Sequence, residues 1–516
     1  MKATSLIATA VAALAIVACQ PKPARQQNPA CQPKPACQRN PACQPAPARQ
    51  QNRTRPQKAK YTPTWESLSQ RGDAPEWFRD AKLGMWAHWG PQCQPEDGDW
   101  YARLMYEDGS KQAQDHRQNY GDPSEFGFKD IIHLWTADNW DPDDIVGKFK
   151  KAGARYFVGM ANHHDNFDLW DSSHQPWNSV NMGPHKNIIK GWAKAARKQG
   201  LPFGVSVHAS HAWNFYEPAQ AYDGRLTRED GRGKWWEGYD PQDLYQQRHP
   251  VSEQFCWEWQ DTVSRPDAAY RRNFYDRTSE LLLKYKPDLV YFDDTVLPFW
   301  PISDEGLKLT AQLYNRNPKA VVTGKLLQED HKSAIVHDVE RGVLDGIQPR
   351  PWQTCTCLGN WHYDRDLYDR DGYKSVETVA RILADVISKN GNLLLSVPIR
   401  ADGTIDEKEE AILNDLGRWM KTNGEAVYGT RPWTVYGEGE SIRFTCKGET
   451  LYAFILERPA GGTLQITNIT EDVAGVELLG SREAPLFEHT EKGLKIALPE
   501  EFPTQFIPVL RIIKKR

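Results

Sequence analysis

The chain has 516 residues, enough for a large core and a second module, and its 64 Lys plus Arg nearly cancel 68 Asp plus Glu, leaving a net charge of −4. No overall basic field favours nucleic acid or an anionic membrane surface, so a neutral or locally recognised substrate is expected. The nine cysteines show no spacing that makes a zinc site.

Lys2 precedes the apolar stretch from Ser5 to Ala18, which is too short for an ordinary spanning helix and reads as an export signal over residues 1–19. Its ending, Ile16-Val17-Ala18-Cys19, resembles a bacterial lipobox. Lipidation of Cys19 would place the protein in the periplasm or on the outer membrane of a bacterium, anchored rather than spanning. A unit then recurs, CQPKPARQQNPA, CQPKPACQRNPA and CQPAPARQQN, with Cys19, Cys31 and Cys43 opening each copy. Pro, Gln and Arg without apolar periodicity cannot build a core, and residues 20–60 are expected to be an extended, disordered tether.

From residue 61 a cycle of strand, polar strand end and helix repeats. Lys82-Leu-Gly-Met-Trp-Ala-His88-Trp89-Gly90 is a first strand, followed by a loop with Asp99-Trp100-Tyr101. DPDDIVGKFKKAG carries the acidic start of a helix, and Ala154 to Ala161 is the second strand, ending at Asn162-His163-His164-Asp165. LPFGVSVH, ending at His208, is the third. PDLVYFDD, after the helical RRNFYDRTSELLLKYK, is the fourth and breaks at Asp293-Asp294. Ala320 to Lys325, AIVHDVE ending at Glu340, Pro351-Trp-Gln-Thr-Cys355 and Asn392 to Pro398 complete a set of eight. Eight strands with helical or long connections over residues 61–425 predict an α/β fold of (β/α)₈-barrel type, with some irregular helices, rather than an open doubly wound sheet. No GxGxxG or GxxxxGK follows any strand. Cys355-Thr356-Cys357 would send both thiols to one side of a strand.

After EEAILNDLGRWMKTNG the texture changes. Residues 426–516 carry short alternating runs, SIRFTCKG, TLYAFILER, GTLQITNI, GVELLG, GLKIALP and FIPVLRII, which predict an antiparallel β-sandwich.

Strand ends of a barrel deliver their residues to one rim, and here they would deliver His88, Trp89, His163, His164, His208, Asp293 and Glu340. Two chemistries compete for that set. In glycoside hydrolysis one carboxylate attacks the anomeric carbon, a second protonates the leaving oxygen, and histidines bond sugar hydroxyls. In metal-assisted hydrolysis His163, His164, Asp165, His208 and Asp293 would be ligands. Adjacent histidines on a strand point to opposite faces, and no HExxH is present, so the sugar reading is preferred, with no metal or cofactor expected.

Gly84-Met-Trp-Ala-His88-Trp89-Gly90, Asp99-Trp100-Tyr101, Asn162-His163-His164-Asp165-Asn166-Phe167, Leu169-Trp170-Asp171-Ser172, Trp177-Asn178-Ser179-Val180 and Gly391-Asn392-Leu393-Leu394-Leu395 together resemble glycoside hydrolase family 29, the α-L-fucosidases, from about residue 62 to the end. The resemblance implies a barrel plus β-sandwich, no metal, and an exo-acting retaining double displacement on terminal fucosyl residues of glycans or polysaccharides. It places the nucleophile at Asp293, in Tyr291-Phe292-Asp293, and the acid/base at Glu340, ahead of Trp352-Gln353-Thr354. Sugar-holding positions match His88, Trp100, His163 and His164, with Asp99 where Glu is common. Tyr291 stands where Trp is frequent, His208 ends a strand in place of a Tyr-Ser type ending, and Lys325 stands where Arg is often found. These departures bear on which sugar fits. One alternative is an α-L-galactosidase on a sulfated algal galactan such as porphyran, with Lys325, Arg341 or Lys186 pairing a sulfate; another is a non-catalytic carbohydrate-binding protein.

Overall fold

The computed structural model of the chain describes residues 59–255, 262–293 and 304–515. The signal, the repeats with Cys19, and Asp294 lie outside them. Eight parallel strands close into a barrel in sequence order: β1 (Leu83–His88), β2 (Tyr156–Asn162), β3 (Phe203–Val207), β4 (Leu289–Phe292), β5 (Val321–Gly324), β6 (Val336–Glu340), β7 (Trp352–Cys357) and β8 (Gly391–Pro398). β8 pairs with β1 to complete the ring. All eight correspond to the runs expected from the sequence.

Period-two alternation divides the strands into two cores. Leu83, Met85 and Ala87 of β1 join the large cluster between strands and helices, whereas Trp86 joins Tyr156, Val158, Leu289, Tyr291, Val321, Val336, Cys355 and Leu394 inside the barrel. Gly84 is required there, because a Cβ would fall 2.2 Å from the Tyr156 ring. The interior is partly polar. The Tyr156 hydroxyl donates to Gln353 Oε1 at 2.9 Å, and Gln353 Nε2 donates to Asp338 Oδ1 at 2.8 Å.

The outer helices follow their sequence signals. Asp141 caps the helix Pro142–Lys151 by accepting from the Asp143 and Asp144 amides, and three lysines fall in its last turn, opposite charges at the two dipole ends. Ile188–Lys198, Ala268–Tyr285, Glu305–Arg316 and Val376–Ser388 pack similarly. No α-helix joins β5 to β6 or β6 to β7; a 3₁₀ turn, His331–Ser333, and a loop do so instead. That side is covered by the short helix Trp65–Ser69, whose Trp65 stacks on His331 at 3.8 Å.

The C-terminal region forms a five-stranded antiparallel sheet in the order β13-β16-β11-β10-β9 and a three-stranded sheet in the order β12-β15-β14. The strands are β9 (Arg431–Glu438), β10 (Ile442–Lys447), β11 (Thr450–Ile455), β12 (Thr463–Ile466), β13 (Val473–Leu478), β14 (Phe487–Thr490), β15 (Gly493–Ala497) and β16 (Val509–Lys514). Phe444, Leu451, Ala453, Ile466, Leu494, Ile496 and Ile512 make a core between the sheets. Two strands went unread in the sequence, β9 and β14. Both are edge strands with little fully buried surface, so neither carries a clear apolar alternation, and β9 tolerates Pro432. Tyr452, Phe454 and Val509 face the barrel's own core, and Trp419 of the helix Glu407–Asn423 donates to the Ile507 carbonyl at 2.8 Å.

Candidate active site

The carboxyl ends of the strands surround a cavity of about 380 Å³ lined by Trp86, His88, Asp99, Trp100, His163, His164, Asp293, Lys325, Leu326, Glu340 and Trp361. Eight of these were expected from the sequence. His208 and Tyr291, expected to touch substrate, are buried and not among the residues lining the cavity; both lie against Asp293.

Asp293 directly follows β4, and its amide still pairs with the Val207 carbonyl at 3.2 Å, so its side chain continues the inward alternation from Tyr291. Glu340 is the last residue of β6. Lys325, one residue past β5, lies between them: its Nζ is 2.7 Å from Asp293 Oδ1 and 2.5 Å from Glu340 Oε2. Asp293 Oδ2 is 3.1 Å from His208 Nδ1 and 3.4 Å from His164 Nε2. Burial by itself would raise the Asp293 carboxyl; the Lys325 ammonium, His208 and His164 outweigh it and hold the group well below the usual carboxylate range. Burial likewise opposes charge on Lys325, and the carboxylates of Asp293 and Glu340 reverse that, keeping it protonated. The Trp361 indole donates to Glu340 Oε1 at 3.2 Å.

The histidines are oriented by their other ring nitrogen. Trp86 Nε1 donates to Ser206 Oγ at 3.1 Å, and that hydroxyl is 3.0 Å from His208 Nε2, so its proton can go to the imidazole and leave N–H at Nδ1 facing Asp293. His164 Nδ1 donates to the His208 carbonyl at 2.8 Å. Gln92 Nε2 donates to His163 Nδ1 at 2.7 Å, and His362 Nδ1 donates to Asp99 Oδ1 at 2.6 Å. Both ring nitrogens of His88 and the Nε2 of His362 are buried with no partner among the described residues. Burial, reinforced by the neighbouring histidines, lowers His88 and His163 well below the ordinary imidazole range, so both are neutral and can donate and accept.

The expectation that His163 and His164 face opposite ways does not hold. β2 has a register shift between Met160 and Asn162 and ends there, so both histidines lie on the turn beyond it with ring centroids 4.4 Å apart. Donor atoms of His88, Asp99, His163 and His362 all lie within 4.8 Å of one another, as do those of His163, His164 and His208. Asp165 is no part of either set: it is buried behind the turn, where desolvation pushes its carboxyl up to about 6. Of the cations named for a sulfate, Lys325 alone lines the cavity, and it is paired with two carboxylates. Lys186 donates to the Ala137 carbonyl, and Arg341 lies over the Trp361 ring at 4.9 Å.

Sequence reading missed Trp86, Leu326, Trp361 and His362 at this site. Trp86 shares the inward face of β1 with His88 and follows from period two alone. Trp361 and His362 lie past the end of β7, which runs two residues beyond the Cys355 where the sequence had placed its end.

A closed parallel barrel with two carboxylates, neutral imidazoles and indole faces converging at its carboxyl rim defines a glycoside hydrolase. The Alpha-L-fucosidase family model matches residues 48–425, and the Alpha-L-fucosidase C-terminal domain model matches residues 438–513. The chain belongs to the α-L-fucosidase family, and α-L-fucosidase activity is what these likenesses support. Tissue α-L-fucosidase of Homo sapiens is 28% identical over 473 residues, covering 88% of this chain and 91% of the human protein. The crystal structure of Thermotoga maritima α-fucosidase in complex with fucose, 28% identical, superposes with a TM-score of 0.69 over 88% of this chain and 100% of that one. A bacterial fucosidase with an iminocyclitol inhibitor, 18% identical with a TM-score of 0.64, shares the fold. Nothing in these likenesses favours the galactosidase or the non-catalytic alternative.

Proposed function

We propose that the protein is an exo-acting, retaining α-L-fucosidase that removes terminal α-L-fucosyl residues from glycans or polysaccharides. The observation that carries the retaining mechanism is the position of Lys325. One ammonium touching Asp293 Oδ1 and Glu340 Oε2 holds those oxygens no more than about 5 Å apart, which is short of the ~6.5–9.5 Å that admits a water and agrees with the roughly 5–5.5 Å spacing at which the second carboxylate attacks directly. Asp293, held ionised, attacks the anomeric carbon. Glu340, the more exposed of the two, protonates the departing oxygen and then takes a proton from the water that hydrolyses the glycosyl ester. His88 and His163 supply neutral donors and acceptors for the sugar hydroxyls, which would satisfy the unpartnered nitrogens of His88.

Following the first-formed sugar by NMR on an aryl α-L-fucoside tests this: the α-anomer appears first, and initial release of the β-anomer would overturn it. Turnover persists under exhaustive chelation; loss that zinc restores would favour metal chemistry at the histidine sets. We further propose export and anchoring through Cys19, supported by Lys2, the apolar stretch and the lipobox-like ending. Cys19→Ala then moves the protein from the membrane fraction to the soluble one with unchanged specific activity, and a fully soluble wild type would end that reading.

A further inference from the structure

Leu326 combines two properties that a surface leucine gains nothing from. It is the most exposed large apolar side chain of the described barrel residues, at 70%, and its backbone is left-handed, with φ of +47°. A branched residue rarely adopts that conformation, and here no burial offsets the strain. Its neighbours in sequence explain how it is held. Lys325 is fixed by Asp293 and Glu340, and Leu327 packs against the main core, so the chain turns at 326 and sends the side chain out at the cavity wall. The same geometry recurs at the end of the adjacent strand, β6, where Arg341, following Glu340, has φ of +51° and lies over Trp361.

The place matters because of Glu340. Its Oε2 is against Lys325 and its Oε1 against Trp361, so the leaving oxygen must come to the open side of that carboxylate, bringing the rest of the leaving group to the lip that Leu326 lines. We propose that Leu326 is a specificity-determining residue for the leaving group, an apolar platform for the C–H face of a pyranose or an aryl ring in the position next to the cleaved bond. This rests on the hydrolase reading above. It commits the leaving-group site to an uncharged, apolar face rather than to a sulfate or carboxylate, for which no uncommitted cation lies among the described residues lining the cavity.

The test compares three substrates on the full-length protein: α-L-fucosyl fluoride, whose leaving group reaches nothing beyond the bond, an aryl α-L-fucoside, and a fucosylated oligosaccharide. With Leu326→Ala, kcat/KM falls about five- to tenfold for the aryl and oligosaccharide substrates and stays within about twofold for the fluoride. Leu326→Asp widens the gap, and Leu326→Gly, which relieves the left-handed strain, shows the same discrimination with no loss of thermal stability. Equal losses on all three substrates would make Leu326 a structural residue, and no loss on any would remove it from the leaving-group site; either overturns the proposal. A folded wild type inactive on all three would instead overturn the fucosidase reading itself.

Discussion

Two buried lysines sit at opposite ends of the same barrel. Lys325 follows β5 at the carboxyl end, and Lys82 precedes β1 at the amino end, where it is 1% exposed with φ of +61°. Burial works against the charge of both. At Lys325 two carboxylates within hydrogen-bonding distance reverse that effect, and the ammonium stays on well above the ordinary lysine range. At Lys82 the nearby carboxylates are engaged elsewhere: Glu76 pairs with Arg79 and Arg431, and Asp80 with Arg431. Burial, with Arg431 and Arg79 adding repulsion, lowers Lys82 to about 7. One end of the barrel therefore concentrates charge and uses it, while the other merely encloses it.

Removing the proposed nucleophile is expected to break the carboxyl end most severely. Asp293→Gly is expected to lower kcat by three or more orders of magnitude, on the scale of losing one member of a catalytic unit. Azide added to that variant should attack directly and give a glycosyl azide of inverted configuration. If Asp293→Gly keeps activity while Asp294→Asn loses it, the nucleophile is Asp294. Taking away the cation instead leaves two carboxylates facing each other. Lys325→Met should cost about 100-fold in kcat/KM and move the acid limb of its pH profile upward. The sign follows from Asp293: the ammonium is the strongest influence lowering its carboxyl, so without it protonation sets in at higher pH. Lys325→Arg should retain most of the activity, and an unmoved acid limb in Lys325→Met would show that the bridge has no part in ionising Asp293.

What the sequence revealed divides along the same axis. Each barrel strand is a short apolar run that stops at polar residues, so the rim set of His88, His163, His164, Asp293 and Glu340 follows from finding where alternation ends. Which of these meet depends on the register of strands far apart in sequence. Only the closed ring brings Asp99 to His362, 263 positions apart, or Lys325 to both carboxylates. The roles of His208 and Tyr291 could not be told from strand ends, because whether a side chain reaches the cavity or stops behind it depends on its neighbours. Tyr291 is diverted by Asp338, to which its hydroxyl donates at 3.0 Å. Lys82 gave no signal at all. A lysine at a strand's amino end ordinarily reaches solvent; here Lys82 directly follows the helix Glu76–Ala81 and is 1% exposed, with Arg431 of the C-terminal region near enough to repel its charge.

The amino end yields the smallest and most separable effect, on stability and not on rate. Lys82 titrates near 7 when folded and near 10.4 when unfolded, so between those values the unfolded chain holds a proton that the folded chain lacks. Stability therefore rises with pH across that window, and the penalty is complete below about pH 7, where both states are protonated. At neutral pH it amounts to a few kcal/mol, on the order of 1.4 kcal/mol for each unit of displacement. Lys82→Met keeps the length of the side chain and removes the charge. Its thermal midpoint should exceed that of wild type by several degrees at pH 7, the difference should shrink toward pH 10, and kcat/KM on an aryl fucoside should be unchanged. Thermal melts of the two proteins at pH 7, 8.5 and 10 measure this directly. A constant difference across the three would mean that Met improves packing and that Lys82 carries no buried charge, whereas a loss of activity would show that the two ends of the barrel are coupled.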